Sequence, residues 1–362
     1  AIRDCTRSLV GSEMCIRDRR KAEQALKENE ERYRALVENA PEAIVVLDVD
    51  SNRFVDANEN ACQLFNLSRK RLLSIGPQAI SPRMQPDGTP SFGVSRGFVD
   101  RALQGEHPVF EWTHKDFHGK EFPCEIRFSE LPSQDRKLIR VSITDIQERK
   151  RDDQFSYALN KILEMVAANT ACDRTLRSVC RCVENIDEDM RAAVMRLDIK
   201  NQTLSVEQAP NLPEPFKLAL DFLKVEEDGV ACGAAVFANK EKLVENIAAE
   251  ESWSGVHSLA EKHGIKAVWS FPLYGARERI IGTLYVYLTQ SRQPKTDELD
   301  KMNRMARLAG LAIKKQIDEE KLKNSESRYR GLFENVVDGV YIASRDGEII
   351  TVNPALVDML GF

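Results

Sequence analysis

Histidine is scarce in this sequence, five in 362 residues. His107, His114, His118, His257 and His263 never fall into an HxH or HExxH arrangement or beside a CxxC pair, which argues against a metal centre. Eight cysteines are too few and too scattered for a disulfide scaffold, so a reducing compartment, the cytoplasm, is expected. No charge of one sign is in excess: 52 Lys and Arg against 57 Asp and Glu leave a net charge of −5. Neither nucleic acid nor an anionic membrane is therefore indicated as a partner. Long hydrophobic runs are missing too. Stretches such as residues 43–47 and 280–288 fall well short of the roughly 20 residues of a spanning helix, and no membrane span is expected in this stretch. No GxxxxGK[ST] loop or GxSxG elbow occurs, so no catalytic residue can be assigned. What the chain does contain is 42% hydrophobic and 30% charged residues, enough for packed cores in roughly two or three domains.

The chain repeats itself. Glu30-Glu-Arg-Tyr-Arg-Ala-Leu-Val-Glu-Asn39 returns as Glu326-Ser-Arg-Tyr-Arg-Gly-Leu-Phe-Glu-Asn335. Each copy continues with an apolar run (43–47, 339–343), a turn (50–52, 345–347) and a β-rich run ending in Asn58 or Asn353. An asparagine there suits a helix N-cap, because its side chain accepts orphan amide protons of the first turn. Ala61, Leu64 and Phe65, and then Leu356, Met359 and Leu360, recur at helical spacing. Residues 1–19 have no apolar period and resemble the translated remnant of a sequencing adaptor. They are read as an artefactual or disordered leader.

The first copy continues as strands. Phe110, Trp112 and His114 share a face, as do Phe122, Cys124, Ile126 and Phe128, and Ile139, Val141 and Ile143. Two early strands, a helical middle and three late strands describe an α+β domain. Residues 32–150 resemble a PAS domain, on 30–39, Asp56-Ala-Asn58, Asp116-Phe-His-Gly-Lys120 and the closing Thr144-Asp-Ile-Gln-Glu-Arg-Lys150. The resemblance implies a five-stranded antiparallel sheet with flanking helices and a cleft for a small molecule or for dimerisation. Trp112, His114 and Phe128 are its candidate ligand residues. The cysteine of light-sensing PAS domains is missing from 74–81, so flavin photochemistry of that kind is not expected. Residues 326–362 resemble the first third of a second, truncated PAS domain.

Between the copies, Phe155, Ala158, Leu159, Ile162, Leu163 and Val166 form one apolar helical stripe and Leu176, Val179, Cys180 and Val183 another. Strands are expected over 192–198, 204–207, 266–273 and 279–288. Thr296 is expected to cap a long helix with Asp297 and Glu298 in its first turn. No proline interrupts it before Phe333, and Gly310 is its weak point, at a cost of about 1 kcal/mol relative to alanine. Residues 153–316 resemble a GAF domain, on Gly229-Val-Ala-Cys-Gly-Ala-Ala235, Val244-Glu-Asn-Ile247, His263-Gly-Ile-Lys-Ala-Val-Trp-Ser-Phe-Pro272 and Ile281-Gly-Thr-Leu-Tyr285. The candidate ligand or redox residues here are Cys232, whose thiol would be activated by a helix N-terminus, and Trp269. Asn239-Lys240 opens like a cyclic-nucleotide motif that the following residues do not complete.

Linker helices are expected at 20–36 and 314–332. Ala22, Leu26, Asn29, Tyr33 and Leu36, and then Asp318, Leu322, Ser325, Tyr329 and Leu332, share a 4, 3, 4, 3 spacing that suits a homodimeric seam. Together the resemblances imply the sensory region of a bacterial signal-transduction protein. It would sense a small-molecule or redox signal and pass it through helices to an output module, most often a histidine kinase. Alternatives are a diguanylate cyclase or phosphodiesterase as parent, or ligand-free protein-interaction modules. No particular cofactor is implied.

Overall fold

The computed structural model describes residues 24, 27–32, 34–227, 229–253 and 257–361. The leader and the seam positions Ala22, Leu26 and Tyr33 lie outside the described residues. The chain divides into two compact units that meet at residues 152 and 153.

The first unit is built on five antiparallel strands in the order β2-β1-β5-β4-β3. They are β1 (Ala43–Asp48), β2 (Arg53–Ala57), β3 (Val109–Lys115), β4 (Glu121–Leu131) and β5 (Leu138–Asp145). Helices α1 (Glu59–Phe65), α2 (Arg69–Leu72) and α3 (Ser91–Ala102) fill the connection between β2 and β3. Period-two alternation puts Trp112 and His114 of β3 and Phe122, Cys124, Ile126 and Phe128 of β4 on the buried side, with Ile139, Val141 and Ile143 of β5. Phe65 and Leu72 pack into the same core from the helices.

Asn58 caps α1 as its position in the sequence predicts, and does more. Its Oδ1 accepts the Ala61 and Ile44 amides at 3.0 and 2.9 Å, and its Nδ2 donates to the Val37 and Glu42 carbonyls at 3.1 and 3.0 Å. One fully buried side chain thus ties the lead-in segment, β1 and α1 together. The second copy repeats the device. Asn353 accepts from Val340 and Leu356 and donates to Val336 and Asp338.

The second unit opens part-way along α4 (Gln147–Ala167), whose Phe155 and Ile162 are buried, and continues with α5 (Cys172–Glu184). Its six-stranded sheet has the order β8-β7-β6-β11-β10-β9. The strands are β6 (Met190–Asp198), β7 (Thr203–Gln208), β8 (Leu223–Lys224), β9 (Lys242–Val244), β10 (Ala267–Tyr274) and β11 (Ile280–Leu288). Three short helices, α6 (Glu214–Leu220), α7 (Ala231–Ala238) and α8 (His257–Lys262), cover one face. The other face takes α4, α5 and α9 (Thr296–Asn335). Beyond α9 come the hairpin β12 (Tyr341–Ala343) and β13 (Ile349–Val352) and the helix α10 (Pro354–Leu360).

The long helix runs unbroken over 40 residues, but two local expectations change. Lys295, not Thr296, is the N-cap; the Glu298 carboxylate accepts the Lys295 amide at 2.8 Å, so Thr296 is already the first helical residue. Arg292 holds Glu298 there through hydrogen bonds of 2.8 and 3.1 Å, binds Asp189 and lies over the Trp269 ring at 5.0 Å. Gly310 is not a defect in the helix but its point of contact. A Cβ there would sit 2.8 Å from the Tyr274 carbonyl oxygen, so glycine lets α9 press against the backbone of β10. Among the described residues no helix is long and apolar enough to cross a membrane.

Candidate functional site

The inner face of the first sheet does not close on its helices. A cavity of about 780 Å³ remains between strands β1, β3, β4 and β5, the segment 77–83 and α3. Trp112, His114 and Phe128 all line it. Its wall is aromatic: Phe110 meets Trp112 and Phe128 edge to face at 5.9 and 5.3 Å, and Phe98 stacks on Phe110 at 3.7 Å. Aliphatic side chains such as Val45, Leu47, Ile126 and Val141 complete the apolar surface.

A small polar group interrupts that surface. Trp112 donates its indole N–H to Ser81 Oγ at 3.2 Å, and His114 Nδ1 donates to the Ile80 carbonyl at 2.9 Å. With the proton on Nδ1, Nε2 is an acceptor, and it is buried with no hydrogen-bond partner. Burial pushes the His114 pKa down to about 4, against the opposing pull of the Ile80 carbonyl. His114 is therefore neutral near pH 7. The segment that brings Ile80 and Ser81 here is pinned by Gln85. Its side chain accepts the Thr113 amide at 2.8 Å and donates to the Thr113 carbonyl and to Ser91 Oγ. Nothing in the sequence around Ser81 or Gln85 announces this role, because both act through a strand about 30 residues away.

The rim is cationic. Arg83, Arg96, Lys115 and Lys137 line the cavity, with Asp50 and Asp100 the carboxylates among its lining residues.

In the second unit the two sequence candidates lie on opposite faces of the sheet. Trp269 belongs to the core against α5 and α9, whereas Cys232 of α7 packs on the other face beside Trp253, Tyr285 and Tyr287. Cys232 is fully buried, and burial pushes its thiol up to about 12, opposite to the direction that an activated nucleophile needs. Helix position alone does not lower a thiol pKa when no water or cation reaches the sulfur. Tyr285 lies within side-chain hydrogen-bonding reach of Cys232, while Trp253 Nε1 and the Tyr287 hydroxyl near it are buried without hydrogen-bond partners, a cluster that no motif signals. Cys180 and Cys182 are free and buried, with the thiols likewise raised by desolvation. Among the described residues no group of three or more His, Cys, Asp and Glu side chains could hold a metal ion.

The family model for the PAS domain matches residues 31–95 and again 327–362, and that for the GAF domain matches 170–314. The first unit carries a PAS domain and the second a GAF domain. The chain is 29% identical over 261 residues to the methyl sulfide methyltransferase-associated sensor of Methanosarcina acetivorans, a match covering 68% of this chain and 26% of that protein. The chain thus spans about a quarter of the length of that curated relative. Among solved structures, it resembles a domain of a sensory box sensor histidine kinase/response regulator from Geobacter sulfurreducens. There the identity is 24% and the TM-score 0.26, over 32% of this chain and 95% of the other. It also resembles the GAF domain of an Acinetobacter phosphoenolpyruvate-protein phosphotransferase, at 13% identity and a TM-score of 0.37, over 46% and 98% of the chains. Both domain types are therefore present in series along the chain.

Proposed function

We propose that the PAS domain is the input, binding a small molecule in its cavity, and that the signal leaves through the helices to an output module. The observation that carries this reading is the cavity itself. Its volume falls within the range of about 300–1,000 Å³ that small-molecule sites occupy, and its apolar lining holds a few convergent polar groups. The same strand serves cavity and exit: Val141 and Ile143 of β5 line the cavity, and β5 ends at Asp145, whose carboxylate caps the Gln147 amide at 2.8 Å as α4 begins. A ligand that favours one packing of β5 would shift the population of α4 arrangements. The 40-residue α9 supplies an equivalent lever after the GAF domain.

In this reading the protein is cytoplasmic, and the output is a histidine kinase, with a diguanylate cyclase or phosphodiesterase as the second choice. It acts as a homodimer, and the exposed side chains of Leu322, Tyr329 and Leu332 on α9 support a seam there. Native mass spectrometry of the chain isolated without denaturation tests the input. A stoichiometric bound small molecule that is absent from a Val141→Phe variant of intact secondary structure supports the reading. Bare chain mass in both favours ligand-free interaction modules instead.

A further inference from the structure

The rim of the PAS cavity carries information about what enters it. Arg83 follows the segment that delivers Ser81, Arg96 lies on α3, Lys115 ends β3, and Lys137 sits in the turn before β5. Four separate stretches of chain thus place a cation on one cavity. Asp50 and Asp100 also line it, leaving a surplus of positive charge. None of the four cations has an ion pair or a side-chain hydrogen bond among the described residues. Some cations elsewhere in the domain do find carboxylates: Arg69 binds Glu38 and Asp56, Arg101 binds Glu106, and Arg149 binds Glu125. Unpaired cations converging at the opening of an apolar cavity leave their best partner, an anion, to be supplied from outside.

The interior sets the rest of the ligand. The wall of Phe110, Trp112 and Phe128 presents ring edges and faces, which suit a planar body. Inside there is no further cation, because the one titratable base in the cavity wall, His114, is held neutral by burial. A second negative charge would therefore have no partner at depth. We propose that this cavity takes an apolar, ring-bearing monocarboxylate, with its ring against Phe110, Trp112 and Phe128 and its carboxylate at the rim with Arg83, Arg96 and Lys137. Arg83, Arg96 and Lys137 are solvent-exposed, so they supply selectivity and attraction more than binding energy, and salt should weaken their effect.

This inference rests on the reading of the cavity as a ligand site, and a matched probe series separates the two. Indole-3-acetate, indole-3-acetamide and tryptamine share one ring body and differ in the charge of its tail. Titration calorimetry on the whole chain should find the acetate binding about tenfold or more tighter than the acetamide, with tryptamine weakest. The margin should shrink between about 0.05 and 0.5 M salt. Replacing both arginines (Arg83→Gln with Arg96→Gln) should bring the acetate down to the affinity of the acetamide and leave the acetamide unchanged. Both positions are exposed, so the variant should fold. Equal affinity for acetate and acetamide would overturn the charge inference while the cavity remained a ligand site. Binding of none of the three, with a native adduct still present, would overturn the inference and leave the sensor reading intact.

Discussion

Replacing Gly310 by alanine should destabilise the GAF domain, although helix propensity alone points the other way. In an isolated helix the change gains about 1 kcal/mol. Here the new Cβ would lie 2.8 Å from the Tyr274 carbonyl oxygen and 3.2 Å from its amide nitrogen. Both are backbone atoms of the sheet, so neither can swing aside. Forcing α9 away from β10 is overpacking against immovable backbone at under 3 Å, in the upper half of the usual range at about 2–3 kcal/mol, set against a helix that also buries Met302, Met305, Ala309 and Ile313. The net expectation is a loss of about 1–2 kcal/mol. Gly331 is the internal control. It lies on the same helix with nothing within 4 Å of its would-be Cβ, so Gly331→Ala should only gain helix propensity and raise the far-UV helical signal. Amide exchange of peptides covering 267–274 and 302–313 isolates the GAF core. There Gly310→Ala should speed exchange roughly five- to thirtyfold, and Gly331→Ala should not speed it. Slower exchange in Gly310→Ala would mean that the helix does not press on β10, and the packing argument would fail.

His114 should make the PAS domain acid-sensitive. Its pKa falls from an ordinary 6.5 to about 4 on folding, so the unfolded chain takes up the proton first. The stabilisation is complete above about pH 6.5 and shrinks as pH falls, about 3 kcal/mol being lost by about pH 4. A pH series of thermal unfolding should lose this slope in His114→Gln, and an unchanged slope would assign it elsewhere. Asn58→Ala removes four hydrogen bonds at a fully buried site. It should cost about 2–4 kcal/mol in urea unfolding of the PAS domain, and a loss under about 1 kcal/mol would show that water replaces the side chain. In a longer parent chain, inserting two residues after Ile317 turns the downstream helix face by about 200°. It should abolish or lock regulation while ligand affinity is unchanged, and normal regulation in that variant would reduce α9 to a passive tether.

The strand faces of the PAS sheet were legible because a strand alternates sides regardless of what covers it. Phe110, Trp112 and His114 could be grouped on one strand, and Phe122, Cys124, Ile126 and Phe128 on another, from spacing alone. The N-caps were legible for a similar reason, since Asn58 and Asn353 act on amides three residues ahead. Thr296 misled because Arg292 and Glu298 settle that helix start through a contact reaching back to Asp189, a hundred residues earlier. Cys232 misled because the chemistry of a thiol depends on its surroundings, and burial against the second face of the GAF sheet outweighs any helix-end effect.

By itself the sequence determined the local and periodic features: the repeated lead-in helix and asparagine device, the alternation of the late PAS strands, and an α9 without proline. Those depend on residues within a few positions of one another, where backbone geometry dictates the outcome. Only the tertiary structure decided that Trp269 and Cys232 look to opposite faces, that Gly310 is a contact and not a flaw, and that an aromatic cavity with a cationic rim exists. That cavity draws on residues from 45 to 143, and no short-range rule says which covering helices leave space between them. Close packing of non-local elements settles that, through steric fit and desolvation that act only once the chain has folded.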